Sequence, residues 1–304
     1  MNAAFIFPGQ GSQRAGMLDA VPELDSLDRL LDAAEAFSGR ELRYLAHEGT
    51  PHQLADTRVA QPLLYLADWA WGTTLVDLGI RPVALAGHSL GEFAALALAG
   101  VYSVEAGLEL LCERARLMSE ATGDRPGTMA AVLGLDTRVI SDAIAEVDDV
   151  WVANDNSPGQ VVISGAREAV ERAGDVLLVA GARRVVPLDV AGAFHSPMMA
   201  RASEGFSALL DGVELRDAAI PVIQNTRPEP TTTAAEIRTA LSSQMVSPVR
   251  WSETMRAFAR YAPITLIEAG PGSVLRGLAR RVPEIDAVSV EETGVQALVE
   301  EVLR

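Results

Sequence analysis

The sequence predicts an α/β protein, and three observations carry that prediction. Short apolar runs end at glycine-rich turns: Ala3-Ala4-Phe5-Ile6-Phe7 precedes Pro8-Gly9-Gln10-Gly11-Ser12-Gln13, and Pro82-Val83-Ala84-Leu85-Ala86 precedes Gly87. Their length and bounding residues are those of buried strands. Helical stretches are expected at Leu27 to Phe37, Ala60 to Leu78, Leu90 to Leu98 and Val104 to Thr122, with apolar residues at helical spacing in the second and fourth. From Thr128 the texture changes: strand Thr128 to Leu133, helix Arg138 to Val147, strands Val150 to Asn154 and Gln160 to Ser164, helix Arg167 to Ala180, strand Arg184 to Val190. That βαββαβ order is ferredoxin-like. Beyond it come a strand at Pro221 to Gln224, a helix near Ile237 to Met245, and the strand Ile264 to Glu268 before Gly270-Pro271-Gly272. The unit therefore reads as an insertion. Residues 126–191 are expected to form the ferredoxin-like subdomain, and 1–125 with 192–304 an α/β-hydrolase-like large domain around a parallel sheet.

With 304 residues and 49% hydrophobic content, the chain can bury a core without staples. Its single cysteine, Cys112, excludes a disulfide framework and a multi-thiolate metal site, and reads as a small core residue. The start, Met1-Asn2-Ala3-Ala4-Phe5, lacks a basic region followed by a long apolar stretch, and no 18-residue apolar span occurs elsewhere. A cytoplasmic protein without a membrane segment is expected. Against 41 acidic residues stand 25 basic ones, a formal charge of −16, which argues against nucleic acid or an anionic membrane as the main partner. All 25 basic residues are Arg. The absence of Lys excludes Schiff-base chemistry and a Walker-type phosphate lysine.

Gly87-His88-Ser89-Leu90-Gly91 has the Gly-x-Ser-x-Gly pattern between an expected strand and an expected helix. In that context a strained turn projects the serine oxygen, and small flanking residues let backbone amides approach a reacting carbonyl. A serine nucleophile needs a base, usually His. The chain has four histidines. His47 and His52 flank the turn-like Glu48-Gly49-Thr50-Pro51 and read as surface groups, while His88 adjoins the serine and points elsewhere if Ser89 occupies the apex. His195 remains. The usual hydrolase order places the His near the C-terminus, yet more than 100 residues follow His195 here. Its second ring nitrogen still needs an acceptor, either a carboxylate or a backbone carbonyl. From spacing alone Arg114 reads as a helix-surface residue paired with Glu113 or Glu120.

Several motifs occur in order along nearly the whole chain: Phe7-Pro8-Gly9-Gln10-Gly11-Ser12-Gln13, Gln61-Pro62, Gly87-His88-Ser89-Leu90-Gly91-Glu92, Arg114-Ala115-Arg116-Leu117-Met118, Asn156-Ser157-Pro158-Gly159-Gln160, Gly192-Ala193-Phe194-His195-Ser196, Ser247-Pro248-Val249-Arg250-Trp251 and Gly270-Pro271-Gly272. Together they resemble the malonyl-CoA:acyl-carrier-protein transacylases of fatty acid synthesis and the related acyltransferases of polyketide synthases. The resemblance implies that Ser89 carries the acyl group, His195 is its base, and Gln10 and Leu90 supply backbone amides to an oxyanion hole. It gives the Gln244 carbonyl the task of orienting His195, and Arg114 that of holding a malonyl carboxylate. Phe194, Gln61 and His88 complete the substrate-binding set, Phe194 resembling the malonyl-selective form of its motif. Ala193 departs from the Pro often found in the fatty-acid enzymes and matches polyketide acyltransferases. The implied partners are malonyl-CoA and a phosphopantetheinylated acyl carrier protein, with no metal or redox cofactor, in a monomer. Because such carriers are acidic, Arg183, Arg184, Arg276, Arg280 and Arg281 are docking candidates. Rival readings are a serine thioesterase or esterase, a stand-alone polyketide acyltransferase with another acyl unit, and a catalytically silent docking subunit.

Overall fold

The two apolar runs that stop at glycine turns lie side by side. β1 (Asn2–Phe7) pairs in parallel with β2 (Pro82–Gly87). Ala3 through Phe7 are all buried because both faces of the strand are covered. Alternation divides them between two cores: Phe5 and Phe7 face one with Leu63, Leu66 and Phe93, whereas Ala4 and Ile6 face the other with Trp251, Met255, Phe258 and Leu278. The computed structural model describes residues 2–22, 24–282 and 285–303. Next come the second-sheet strands β3 (Thr128–Leu133), β4 (Val150–Ser157), β5 (Gln160–Gly165) and β6 (Arg184–Pro187). The remaining strands are β7 (Val222–Ile223), β8 (Pro230–Thr231), β9 (Ile264–Glu268) and β10 (Asp286–Ser289).

The large sheet has the order β10-β9-β1-β2-β7-β8 and is parallel up to the final β7–β8 hairpin. Its carboxyl-terminal edge therefore gathers the turns after β1, β2 and β7, where open α/β sheets bind ligands. The small sheet, ordered β4-β5-β3-β6, is antiparallel throughout. One face of it packs Val132, Val161 and Ile163 against the helices Thr137–Ala143 and Arg167–Val179. The other presents Met129, Asn154, Asn156 and Val162 to a cleft over the large sheet. Val249 ties the two units together, donating to Ala153 O and accepting from Asp155 N, both at 2.9 Å.

Several expected bounds are corrected. The helix expected over Arg138 to Val147 is Thr137–Ala143, because the polar Glu146-Val147-Asp148-Asp149 run turns into β4 through a left-handed Asp149, φ 62°. The strand expected to reach Val190 stops at Pro187, and Leu188, Asp189 and Val190 leave the sheet to line the cleft. The helix expected near Ile237 to Met245 is Ala234–Ser243, followed by a 3-10 turn over Gln244–Val246. Helices Ala200–Asp211, Trp251–Phe258, Val274–Ala279 and Val295–Leu303, and strand β10, escaped the sequence reading.

At Gly91, a Cβ would collide with the Phe7 and Pro8 carbonyls, so this glycine lets the helix Gly91–Leu98 sit against the end of β1. Gly91→Ala should lower unfolding free energy by about 1–3 kcal/mol. At Gly123, a helical position where a Cβ meets nothing within 4 Å, Ala should be neutral or stabilising by about 0.4–1 kcal/mol. Denaturant titration of both variants checks this; equal shifts would contradict the close approach at Gly91.

Candidate active site

Ser89, in the turn that follows β2, is in the left-handed conformation, φ 52°, and His195 shares that conformation at φ 55°. Such backbone is uncommon outside glycine and persists where its surroundings hold it. Around Ser89 they do. Gly91 N donates to His88 O at 3.0 Å and Glu92 N to Ser89 O at 3.2 Å, closing the turn into the helix. Gln244 Nε2 donates to Ser89 O at 3.2 Å, and the Asn225 side chain bonds both the Ser89 N–H and the Gly87 carbonyl. The loop carrying His195 is fixed by Ser196 Oγ donating to Ala193 O at 2.6 Å and Ser164 Oγ to Phe194 O at 2.8 Å.

The two residues meet. Ser89 Oγ–H donates to His195 Nε2 at 2.8 Å, while His195 Nδ1–H donates to the Gln244 carbonyl at 3.0 Å and lies 3.2 Å from Ser247 O. Because both Nδ1 partners are carbonyls, the proton belongs on Nδ1 and Nε2 is left as the acceptor. Gln244 and Ser247 can serve because the helix Ala234–Ser243 ends there, leaving carbonyls without partners in a continuing helix. Burial, reinforced by the Arg114 guanidinium, pushes the His195 imidazole down to about 3. It is neutral at ordinary pH and able to accept a proton.

Arg114 lies on the helix Val104–Asp124 and is 1% exposed. Its Nη1 donates to Gln61 Oε1 at 2.8 Å, and its Nη2 to Gln244 Oε1 at 3.0 Å and to Ser89 Oγ at 3.2 Å. All three acceptors are uncharged, and Nε has no partner among the described residues. Burial lowers its pKa to about 10, opposed by the negative charge of Glu92, so it stays a cation near neutrality. The surface pairing with Glu113 and Glu120 belongs to its neighbour Arg116.

These groups line a cleft of about 410 Å³ together with Gln10, Gln61, His88, Leu90, Met118, Asn156 and Phe194. His88 turns its ring to Asn156, donating from Nε2 to Oδ1 at 2.9 Å, and packs on Trp251 with ring centroids 5.4 Å apart. The backbone amides of Gln10 and Leu90 donate to no protein acceptor among the described residues. The Gln10 side chain turns away to Ala55 O at 3.2 Å. Cys112 is buried in the core and its thiol is pushed up to about 12 by desolvation. His47 and His52 are exposed.

Sequence reasoning missed Asn225 and Glu92. Asn225 stands in an unremarkable Gln-Asn-Thr-Arg-Pro stretch, and Glu92 was seen only as the end of the serine motif. The five docking candidates are not equivalent. Arg183, Arg184 and Arg280 are exposed, whereas Arg276 is paired with Glu292 at 2.6 Å. Arg281 donates to Ser157 Oγ at 3.1 Å and Pro158 O at 3.2 Å, bracing the strand end beside Asn156.

A half-buried serine bonded to a buried histidine on a strand–turn–helix elbow, opening into a cleft beside a guanidinium that donates only to neutral oxygens, marks an acyl-transferring enzyme of α/β architecture. The Acyl transferase domain family matches residues 4–297, and the chain belongs to it. It is 39% identical to the malonyl CoA-acyl carrier protein transacylase of Haemophilus influenzae, over 99% of this chain and 98% of that one. Identity to the Bacillus subtilis protein of the same name is 38%, over 98% of each chain. Among solved structures it superposes, with TM-score 0.92 and 37% identity over 99% of both chains, on a chain from a complex of a type II polyketide synthase acyl-carrier protein with its malonyl-transacylase.

The depressed His195 value sets an expectation for pH dependence. With the imidazole neutral down to about 3, reaction of Ser89 with a fluorophosphonate probe should not lose a base near pH 6.5, where an unperturbed histidine would protonate. Arg114→Ala should move the acid limb upward. An acid limb at 6.5 in the native protein, unmoved in the variant, would contradict the assigned environment.

Proposed function

We propose that this chain transfers a malonyl group from malonyl-CoA to the phosphopantetheine thiol of an acyl carrier protein through a malonyl ester on Ser89. The observation that carries this reading is the buried Arg114 fork, 3.2 Å from Ser89 Oγ and bonded only to neutral oxygens. A guanidinium donates two parallel hydrogen bonds to a carboxylate and keeps its charge when buried. Malonate presents such a group at the far end of its acyl chain; an acetyl group does not. The names of the similar transacylases support the same substrates.

The proposed cycle is ping-pong. Malonyl-CoA places its carboxylate on Arg114 and its thioester carbonyl over Ser89. His195 Nε2 takes the hydroxyl proton as Oγ attacks, and the amides of Gln10 and Leu90 receive the developing oxyanion. Collapse breaks the carbon–sulfur bond, and His195 returns the proton to the departing CoA thiolate. The carrier thiol then gives its proton to His195 and attacks the ester. Serine leaves and recovers its proton from His195. Protons and bonds balance without a metal or redox cofactor. Phe194, which lines the cleft and is 6% exposed, limits room beside the acyl group, consistent with malonyl over an α-branched unit. A cytoplasmic setting belongs to the same reading; no described helix is long and apolar enough to cross a membrane.

A polyketide role has its own support. The complex that superposes on this chain contains a polyketide carrier, and the Bacillus subtilis polyketide biosynthesis protein PksE is 34% identical over 96% of this chain. Both pathways share the proposed chemistry, and the carrier distinguishes them.

Incubation with malonyl-CoA should give one malonyl adduct by intact mass, absent in Ser89→Ala. An adduct that persists there would overturn the assignment. Arg114→Ala should lose malonyl loading by about 100-fold or more and acetyl loading by clearly less, because the effect on Ser89 and His195 falls on both acyl groups whereas the lost carboxylate partner matters only to malonyl; equal losses would make Arg114 structural. Arg280→Glu should slow transfer to an acidic carrier and leave loading intact, whereas Arg281→Glu, which also releases Ser157 and Pro158, should impair both steps. Stopped-flow loading and carrier transfer, measured separately, decide this.

A further inference from the structure

Asn225 follows the two-residue strand β7, and its side chain, wholly buried, spans the nucleophile turn. Oδ1 accepts the Ser89 N–H at 2.6 Å and Nδ2 donates to the Gly87 carbonyl, also at 2.6 Å. The partners themselves fix which end is oxygen, since one is a donor and the other an acceptor. Asn225 is held in turn by its own backbone. Glu92, one helical turn beyond Ser89, accepts the Asn225 N–H on Oε2 at 2.7 Å and Gln224 Nε2 on Oε1 at 3.3 Å. Arg250 N donates to the Asn225 carbonyl at 3.1 Å.

Two consequences follow. Ser89 holds a left-handed backbone that a serine does not favour, and the carboxamide grips that backbone on both sides, at the residue before the turn and at its apex. The Ser89 N–H is also occupied, which leaves the oxyanion to the amides of Leu90 and Gln10. A primary amide suits the place because it offers one donor and one acceptor on a neutral planar head. An ionised carboxylate would turn a second acceptor toward the Gly87 carbonyl.

We propose that Asn225 is a positioning residue for the reaction: its carboxamide clamps the Gly87–Ser89 turn, Glu92 anchors the clamp, and together they set the direction from which Ser89 Oγ meets the acyl carbonyl. The proposal rests on the reading of Ser89 as the malonyl-accepting nucleophile. Asn225 does not touch the cleft, so its effect should be confined to the rate of attack. An error of about 1 Å in a reacting atom can cost about 100-fold.

The test is single-turnover loading from malonyl-CoA, read by intact mass for the native protein, Asn225→Ala and Asn225→Asp across a pH series, with melting temperatures alongside. Asn225→Ala should load about 10- to 100-fold more slowly with an unchanged half-saturating malonyl-CoA concentration, since Arg114 and Gln61 are untouched. In Asn225→Asp, the protonated acid restores both an acceptor and a donor, and the ionised form lacks the donor. Glu92 faces this position from the helix, with the Arg114 cation beyond it, and the Arg250 side chain is held by Glu253. Burial and Glu92 favour the neutral acid, so loading relative to native should rise as pH falls. Asn225→Ala loading at the native rate, a loss confined to affinity, or an Asn225→Asp ratio that stays well below one and flat with pH would each overturn the clamp. Should Asn225→Ala fail to fold, the Asn225→Asp ratio decides alone. A native protein that fails to load at all would instead sink the reading of Ser89.

Discussion

The arrangement of this site depends on one buried cation. Arg114 is almost wholly buried at the floor of the cleft, and desolvating a guanidinium is costly unless its donors are met. Gln61, Gln244 and Ser89 meet the terminal nitrogens with neutral oxygens while Nε has no partner among the described residues, Glu92 contributes a nearby negative charge, and the Phe93 ring lies 5.5 Å from the guanidinium carbon. Each of those contacts also constrains the chemistry. The same guanidinium that is placed to receive a carboxylate bonds the serine oxygen and helps hold His195 neutral. On the proposed reading, substrate recognition and activation of the nucleophile are two effects of a single charge.

Gln244 is the joint through which these effects meet. Its carbonyl accepts from His195, its Oε1 from Arg114, and its Nε2 donates to the Ser89 carbonyl. It can do so because the helix Ala234–Ser243 gives way there to a 3-10 turn, freeing a carbonyl that a continued helix would have consumed. A backbone carbonyl thus stands where many serine enzymes place a carboxylate. Glu92, the closest buried acid to the elbow in sequence, serves Asn225 instead, and desolvation raises it to about 7 against the hydrogen bonds it accepts.

What was legible in the sequence follows a physical division. Strands buried on both faces announce themselves as apolar runs, so β1, β2 and β9 were read nearly to the residue; in the small sheet the order of strands and helices was legible, while the first helix ends at Ala143, β4 runs on from Asn154 to Ser157 and β6 stops at Pro187. The elbow was legible because the strand, Gly-x-Ser-x-Gly and helix signals adjoin. Amphipathic helices such as Trp251–Phe258, with Arg256 between buried Met255 and Ala257, carry a weaker local pattern and were missed. The neutral surroundings of Arg114 could not be read at all: Gln61, Ser89 and Gln244 come from separated parts of the chain, and helical spacing alone favoured the surface pairing that Arg116 makes. Asn225 has no local signature either, because its role arises from β7 lying beside β2 in the sheet.

The central claim is that the acyl group on Ser89 is delivered to a carrier thiol and not to water. Its most direct measurement is the partition of isolated malonyl-enzyme between the two acceptors, followed by intact mass of protein and carrier after mixing with a phosphopantetheinylated carrier. The adduct should be long-lived in buffer and move quantitatively to the carrier. Rapid release of free malonate with the carrier left unacylated would contradict it.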